Sequence, residues 1–269
     1  MSNSSSAGPL IVIEDVHHRF GDREVLCGVS FEVKAGETLC ILGGSGDGKT
    51  TLLKIMIGAL KPTSGRVLVD GEDVCAMRGS RLQDFRRKIG VTFQSGALLS
   101  SLTVAENLAL PLEYHTRLDV ETIETIIKIK LQQVDLRQAA DLRPSELSGG
   151  MRKRAAIARA LALDPKILFY DEPSAGLDPI ATARIDRLIN DLKENMSITS
   201  VVVTHVMESV RRIADHVILQ YRGKVLLDGT VNDLQVSADP RVRQFVNGDL
   251  EPLQKDATSL ESYHLDLLM

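Results

Sequence analysis

Along the chain, apolar residues fall in short continuous runs separated by polar stretches, and these runs alternate with segments whose apolar positions repeat every three or four residues. That alternation predicts an α/β fold. Strands are expected at Leu10-Ile11-Val12-Ile13 and from Val25 to Val33, with a bend at Phe20-Gly21-Asp22, so the N-terminal part opens as an antiparallel sheet. The runs Leu39 to Leu42, Gly90 to Phe93, Lys166 to Tyr170 and Ser200 to Thr204 predict buried strands, and Arg66 to Gly71 a short one. From residue 95 to about 160 the pattern turns helical. Val104 starts one helix that Pro111 should interrupt, and Asp119 can cap the next, which carries Val120, Ile123, Ile127, Leu131 and Val134 as a stripe. Helices are also predicted at Leu82 to Ile89 and Met207 to Ala214. Another follows Asp178-Pro179 and bears Ile185, Leu188, Leu192 and Met196. A hairpin turning at Arg222-Gly223 and a short helix from Arg241 to Val246 complete the pattern. The expected organisation is a tail at residues 1–9, one unit at 10–236 with residues 95–160 as a helical insertion, and an extension at 237–269. That extension ends in Tyr263-His264-Leu265-Asp266-Leu267-Leu268, an apolar end able to dock on a neighbouring copy.

Composition narrows the function without naming it. Of 269 residues, 25% are charged and 43% apolar, an ordinary soluble composition long enough for a real core. The net charge of −4 gives no support to a nucleic-acid surface, and no run reaches the 18 apolar residues that a membrane span would need, so a membrane role would come through a partner. The serine-rich start lacks the basic and apolar regions of a secretory signal, and Cys27, Cys40 and Cys75 have no metal-like spacing; a cytosolic location is expected.

Chemistry concentrates at four places. Gly43-Gly44-Ser45-Gly46-Asp47-Gly48-Lys49-Thr50-Thr51 lies between an apolar strand and a helical segment, which is the context of a phosphate-binding P-loop. Its backbone N–H groups and the helix start suit a polyphosphate, with Lys49 reaching the β- and γ-phosphates and the Thr50 hydroxyl holding Mg²⁺. The motif alone does not separate kinases, GTPases, helicases and transport ATPases. Asp47 would repel such a ligand if it pointed inward, so it is expected to face solvent. Asp171 and Glu172 sit at the C-terminal end of a buried strand, where Asp171 can serve the Mg²⁺ shell and Glu172 can polarise an attacking water. Gln94 and His205 fall at comparable strand ends; each is a surface residue or a contact to the γ-phosphate region. Ser148-Gly149-Gly150 opens a helix either as an ordinary cap or as a second anion site. With one P-loop and a second such helix start per chain, two chains paired head to tail could close on one ATP from both sides. Phe20, at the first bend, either stacks on adenine or packs at the rim.

With Gly43 to Thr51, Gln94, Leu147 to Met151, Ile167 to Glu172, Ala175 to Asp178 and His205 in this order, residues 10–235 resemble the nucleotide-binding subunit of ABC transporters. The resemblance implies a P-loop NTPase core of the RecA-like kind, with an N-terminal antiparallel β subdomain, an inserted helical subdomain, and a homodimer that hydrolyses ATP with Mg²⁺. Phe20 would stack on adenine, and Gly43, Gly44, Ser45, Gly46, Asp47, Gly48, Lys49, Thr50 and Thr51 would surround the phosphates. Thr50, Gln94 and Asp171 would serve the metal. Glu172 would be the catalytic base, supported by His205 as the switch histidine, Gln94 and Lys49, while Ser148, Gly149, Gly150 and Asp178 would be the signature turn and D-loop contact. Met151 stands where the signature usually has glutamine.

Phe93-Gln94-Ser95-Gly96-Ala97-Leu98, Glu106 to Leu112 with His115-Thr116, and Asp239 to Phe245 are similar to the MlaF-type ATPases of MCE-associated lipid transporters, as is the chain's end. Gly44, Asp47 and Leu177 depart from that pattern. The similarity implies a pair of MlaE-type permease subunits, a periplasmic MCE protein, a STAS-domain subunit and a peripheral position on the cytoplasmic face of a bacterial inner membrane. The alternatives are an ATPase serving an amino-acid or drug permease, or an ABC protein outside transport.

Overall fold

The computed structural model describes residues 8–247. The end of the chain at Tyr263 to Leu268, expected to dock on a neighbour, lies outside the described residues. Strands β1 (Ile11–Phe20), β2 (Arg23–Val33), β4 (Ser64–Val69) and β5 (Glu72–Asp73) form an antiparallel sheet in the order β2-β1-β4-β5. A second sheet holds six strands in the order β10-β9-β3-β8-β7-β6, built from β3 (Thr38–Gly43), β6 (Ile89–Thr92), β7 (Ile167–Asp171), β8 (Thr199–Val203), β9 (His216–Tyr221) and β10 (Lys224–Gly229). All its pairings are parallel except that of β9 with β10.

Strands β3, β7 and β8 are buried at every position, as the lack of polar alternation in their sequences requires. Their successive side chains feed two different cores. Leu39 and Ile41 of β3 point with Phe169 and Val201 toward helix α1 (Lys49–Met56) and the antiparallel sheet. Cys40 and Leu42 point with Tyr170 and Val202 toward the helical side. The period-two alternation of a strand thus lets one sheet hold both layers together.

The helical side contains α3 (Val104–His115), α4 (Val120–Gln133), two short 3₁₀ turns and α5 (Gly149–Ala160), followed after β7 by α6 (Pro179–Met196) and α7 (Met207–Ile213). Helix α2 (Gly79–Arg87) precedes β6; α8 (Val231–Val236) and α9 (Pro240–Asn247) follow β10. Pro111 does not interrupt α3, contrary to the sequence expectation. It removes one helical hydrogen bond, but Thr103 and Glu106 form a reciprocal cap at the start, and buried Leu108 and Leu112 hold the helix on both sides of the proline. Helix α9 packs into the same core through fully buried Val242. Among the described residues, no helix is long and apolar enough to cross a membrane.

Candidate active site

The loop from Gly43 to Gly48 carries the chain from β3 into α1. Gly48 stands at the helix N-cap with φ 98°, a left-handed conformation that a side chain would strain, and a Cβ there would lie 2.8 Å from the Val25 carbonyl oxygen. Without that glycine the loop could not sit against β2. The Lys49 ammonium donates to the carbonyls of Gly43 (2.9 Å) and Gly44 (2.7 Å), so it closes over the loop it belongs to. Burial lowers its pKa from the usual lysine value, with Glu172, Asp47 and Asp171 pulling the other way.

Asp47 points away from the cleft, as expected, but is only partly exposed. Its Oδ2 accepts the Gly44 N–H at 2.6 Å and its Oδ1 accepts the Arg222 N–H at 2.9 Å, so the carboxylate turns back into its own loop and pins it to the β9–β10 turn. It is also absent from the residues lining the cleft. Direct contact with a ligand is avoided because the backbone donors turn the carboxylate away from the cleft, although its charge still acts on Lys49.

Asp171 ends β7, and Thr50 at the start of α1 donates its hydroxyl to Asp171 Oδ1 at 3.2 Å. Burial raises the Asp171 pKa; the Thr50 bond opposes it. A buried carboxylate beside a hydroxyl is a pair of hard oxygen donors, and Gln94, exposed two residues beyond β6, opens on the same cleft. Among the described residues no group of three or more His, Cys, Asp or Glu forms a metal cage. Mg²⁺ does not need one, because it is held by one or two protein oxygens together with substrate phosphates. Thr50, Asp171 and Gln94 fit it on those terms.

Glu172 follows with φ 51°, a left-handed backbone that costs a non-glycine residue on the order of 1–3 kcal/mol. Its N–H donates to Val203 O at 2.9 Å, and its Oε1 lies 2.8 Å from His205 Nδ1. Its Oε2 is buried and has no hydrogen-bond partner among the described residues. His205, by contrast, is largely exposed, in the turn after β8.

These groups share one cavity of about 720 Å³, lined by Phe20, Gly43, Gly44, Ser45, Gly46, Gly48, Lys49, Thr50, Thr51, Gln94, Asp171, Glu172 and His205. Phe20 is 54% exposed at its rim, a ring left open for a ligand. Arg23, Val25 and Phe245 line the cavity as well and were not identified from the sequence. Phe245 comes from α9, about two hundred residues away along the chain, so no local pattern announces it.

Ser148, Gly149, Gly150 and Asp178 lie elsewhere. They line a second cavity of about 570 Å³ together with Arg154 and Arg184. Ser148 caps α5 by accepting the Met151 N–H at 3.3 Å, and Asp178 caps α6 by accepting the N–H groups of Ile180 and Ala181 at 2.9 Å each. A single chain therefore separates the two groups of residues predicted to hold one nucleotide.

This loop, this parallel sheet and these strand-end carboxylates are those of an ATP-binding cassette. The chain belongs to the ABC transporter family, whose model matches residues 26–175. It is 44% identical over 240 residues to the intermembrane phospholipid transport system ATP-binding protein MlaF of Haemophilus influenzae, covering 89% of this chain and 91% of that one. MlaF of Escherichia coli (strain K12) is 41% identical over 263 residues, 98% of each chain. Among solved structures, the cassette MJ0796, in a dimeric post-hydrolysis state bound to ADP and Pi, superposes with a TM-score of 0.76 at 33% identity, covering 82% of this chain and 98% of that one.

Proposed function

We propose that the chain is the ATP-hydrolysing subunit of a phospholipid transporter, working as a homodimer on the cytoplasmic face of a bacterial inner membrane. The observation that carries the dimer is the separation just described: the P-loop cavity and the Ser148–Gly150 turn lie apart in one chain. A second copy, placed head to tail, brings its Ser148 turn and Asp178 onto the nucleotide held by the first. The dimeric MJ0796 cassette with ADP and Pi supports a dimer. The two MlaF relatives support a phospholipid cargo. The companions are a pair of MlaE-type permease subunits, a periplasmic MCE protein and a STAS-domain subunit, with no nucleic acid involved.

ATP lies along the loop, its adenine on the Phe20 ring and its β- and γ-phosphates at the N–H groups of residues 48–51 and at Lys49, which leaves the Gly43 and Gly44 carbonyls for them. Thr50, Asp171 and Gln94 would hold Mg²⁺, which would supply positive charge against the phosphates. Glu172 takes a proton from a water as its oxygen bonds the γ-phosphorus, and the bridging bond to the β-phosphate breaks to give ADP and phosphate. His205 holds the glutamate through Oε1 and stands exposed beside the γ-phosphate position. Gln94, on the same cleft, orients the water.

The test is ATP turnover as a function of protein concentration, followed by ATP-driven movement of a labelled phospholipid in the membrane complex purified with this chain. Turnover per chain should rise with concentration and vanish in Ser148→Arg while ATP binding persists. A monomer that hydrolyses at full speed with Ser148 replaced refutes the shared site, and a complex that carries another solute refutes the cargo.

A further inference from the structure

We propose that Lys153 is a positioning residue for hydrolysis, a strut through which the helix bearing the Ser148 turn holds the backbones of Gln94 and Glu172 in place. Its ammonium donates to the Gln94 carbonyl oxygen at 2.5 Å and to the Glu172 carbonyl oxygen at 3.0 Å. Few side chains reach two such points at once, and lysine carries three N–H donors on a long stem. The stem rises from α5, five residues beyond Ser148, or about one and a half helical turns.

Three features make this contact more than surface decoration. The two carbonyls belong to the residue that orients the water and the residue that takes its proton, on the reading given above, and the inference rests on that reading. Glu172 has a left-handed backbone, φ 51°, that nothing in its own side chain favours. Such a conformation persists only where its surroundings impose it. The Val203 carbonyl holds its N–H, while Lys153 and the Ala175 N–H, at 3.2 Å, hold its carbonyl. Finally, Lys153 links the helical side of the fold to the catalytic strand end, beside Arg159 of the same helix, which holds the Gly96 and Ala97 carbonyls. Ser148 and Gly149 open α5 in one cavity; Lys153, on the same rigid helix, reaches the groups of the other. When the partner's nucleotide seats the start of α5, Lys153 moves with it, so the base and the Gln94 loop are set by the state of the helix.

The experiment compares wild type, Lys153→Met, Lys153→Arg and Lys153→Gln in the full-length dimer, measuring kcat, KM, ATP affinity and melting temperature. Methionine keeps most of the stem and removes the donor; kcat should fall between about tenfold and hundredfold, the cost of misplacing a catalytic group by about an ångström. KM and ATP affinity should hardly change, because Lys153 does not line the cleft. Arginine keeps a charged double donor and should recover most of kcat. Glutamine keeps one N–H donor on a shorter arm and should fall between the two, which also supplies a folded variant if methionine destabilises the chain. A folded Lys153→Met or Lys153→Gln enzyme with wild-type kcat overturns the proposal, as does a loss expressed wholly in KM. Glu172→Gln, run alongside, separates the two readings: if it too keeps full turnover, the assignment of the base fails first.

Discussion

Glu172 Oε1 and His205 Nδ1 lie 2.8 Å apart at the ends of two neighbouring parallel strands, β7 and β8. The carboxylate is mostly buried and the ring mostly exposed, so the histidine occupies one oxygen while the other is buried without a hydrogen-bond partner among the described residues. Glu172→Gln preserves the shape of that pair but cannot accept the proton of water. Turnover should fall by about 10²–10⁴-fold, with ATP affinity near the wild-type value, as read by single-turnover hydrolysis and equilibrium binding. Lys49→Ala differs, since it removes the ammonium proposed to meet the phosphates, and should lose both binding and turnover.

Asp47 offers a test of how the loop tolerates a carboxylate. Its two backbone bonds tie Gly44 to the turn at Arg222, but its charge remains within the field of the bound phosphates. Asp47→Asn removes the charge and keeps one of the two acceptor oxygens, so one of the two backbone bonds is lost with it. ATP affinity should rise by about fivefold, the factor expected when about 1 kcal/mol of solvent-screened repulsion is removed, and the gain should shrink at high salt. Calorimetric titration at two salt concentrations decides it; unchanged affinity would mean that the backbone donors neutralise the charge completely.

What could be read from residues alone was local. The cap at Asp119, the cap and proline at Asp178-Pro179, and the turn at Ser148 follow from side chains within three residues of the groups they bond, and the structure shows each one. Strands β3, β7 and β8 were legible because burial on both faces leaves no polar alternation. Strand β5 escaped because Glu72 and Asp73 are two charged residues with no apolar period. Helix α8 was missed although Thr230 and Asp233 form a capping box, the one pattern that announced it. Asp47, Phe245 and Lys153 were out of reach for a different reason. Asp47 is satisfied by Arg222, 175 residues away, and Lys153 by Gln94, 59 residues away, so their roles exist only once the sheet has formed.

His216 links stability to pH. It begins β9, and its ring lies 3.4 Å from Glu37 Oε1 and 2.7 Å from Asp228 Oδ1. Glu37 foremost raises its pKa above 6.5; burial opposes the shift, and Asp228 adds to it. The protonated ring is therefore favoured by the folded state. The stabilisation is fully present below about pH 6.5, where the unfolded histidine is also protonated, and is lost as pH rises through the higher folded-state value. Urea midpoints of wild type and His216→Gln should differ most at acid pH and converge above neutrality. A difference that grows with pH contradicts the assigned shift.

Gln220 is fully buried in β9, hydrogen-bonded along its backbone to the strand that ends at the P-loop, yet neither atom of its side-chain amide has a hydrogen-bond partner among the described residues. The amide nitrogen lies 3.1 Å from where a Cβ on Gly48 would sit, so it backs the phosphate loop directly. Burying an unpaired amide costs about 1–3 kcal/mol by mutational measure. Methionine has nearly the same length and volume and no polar atom to satisfy. Gln220→Met should therefore raise the melting temperature by about 2–4 °C for each kcal/mol recovered, the scale for a chain of this size. Because the methionine faces the back of the loop and not the cleft, ATP affinity should stay the same. If melting falls instead, the amide is engaged in the folded protein, and weaker ATP binding in the same variant would place that engagement at the loop.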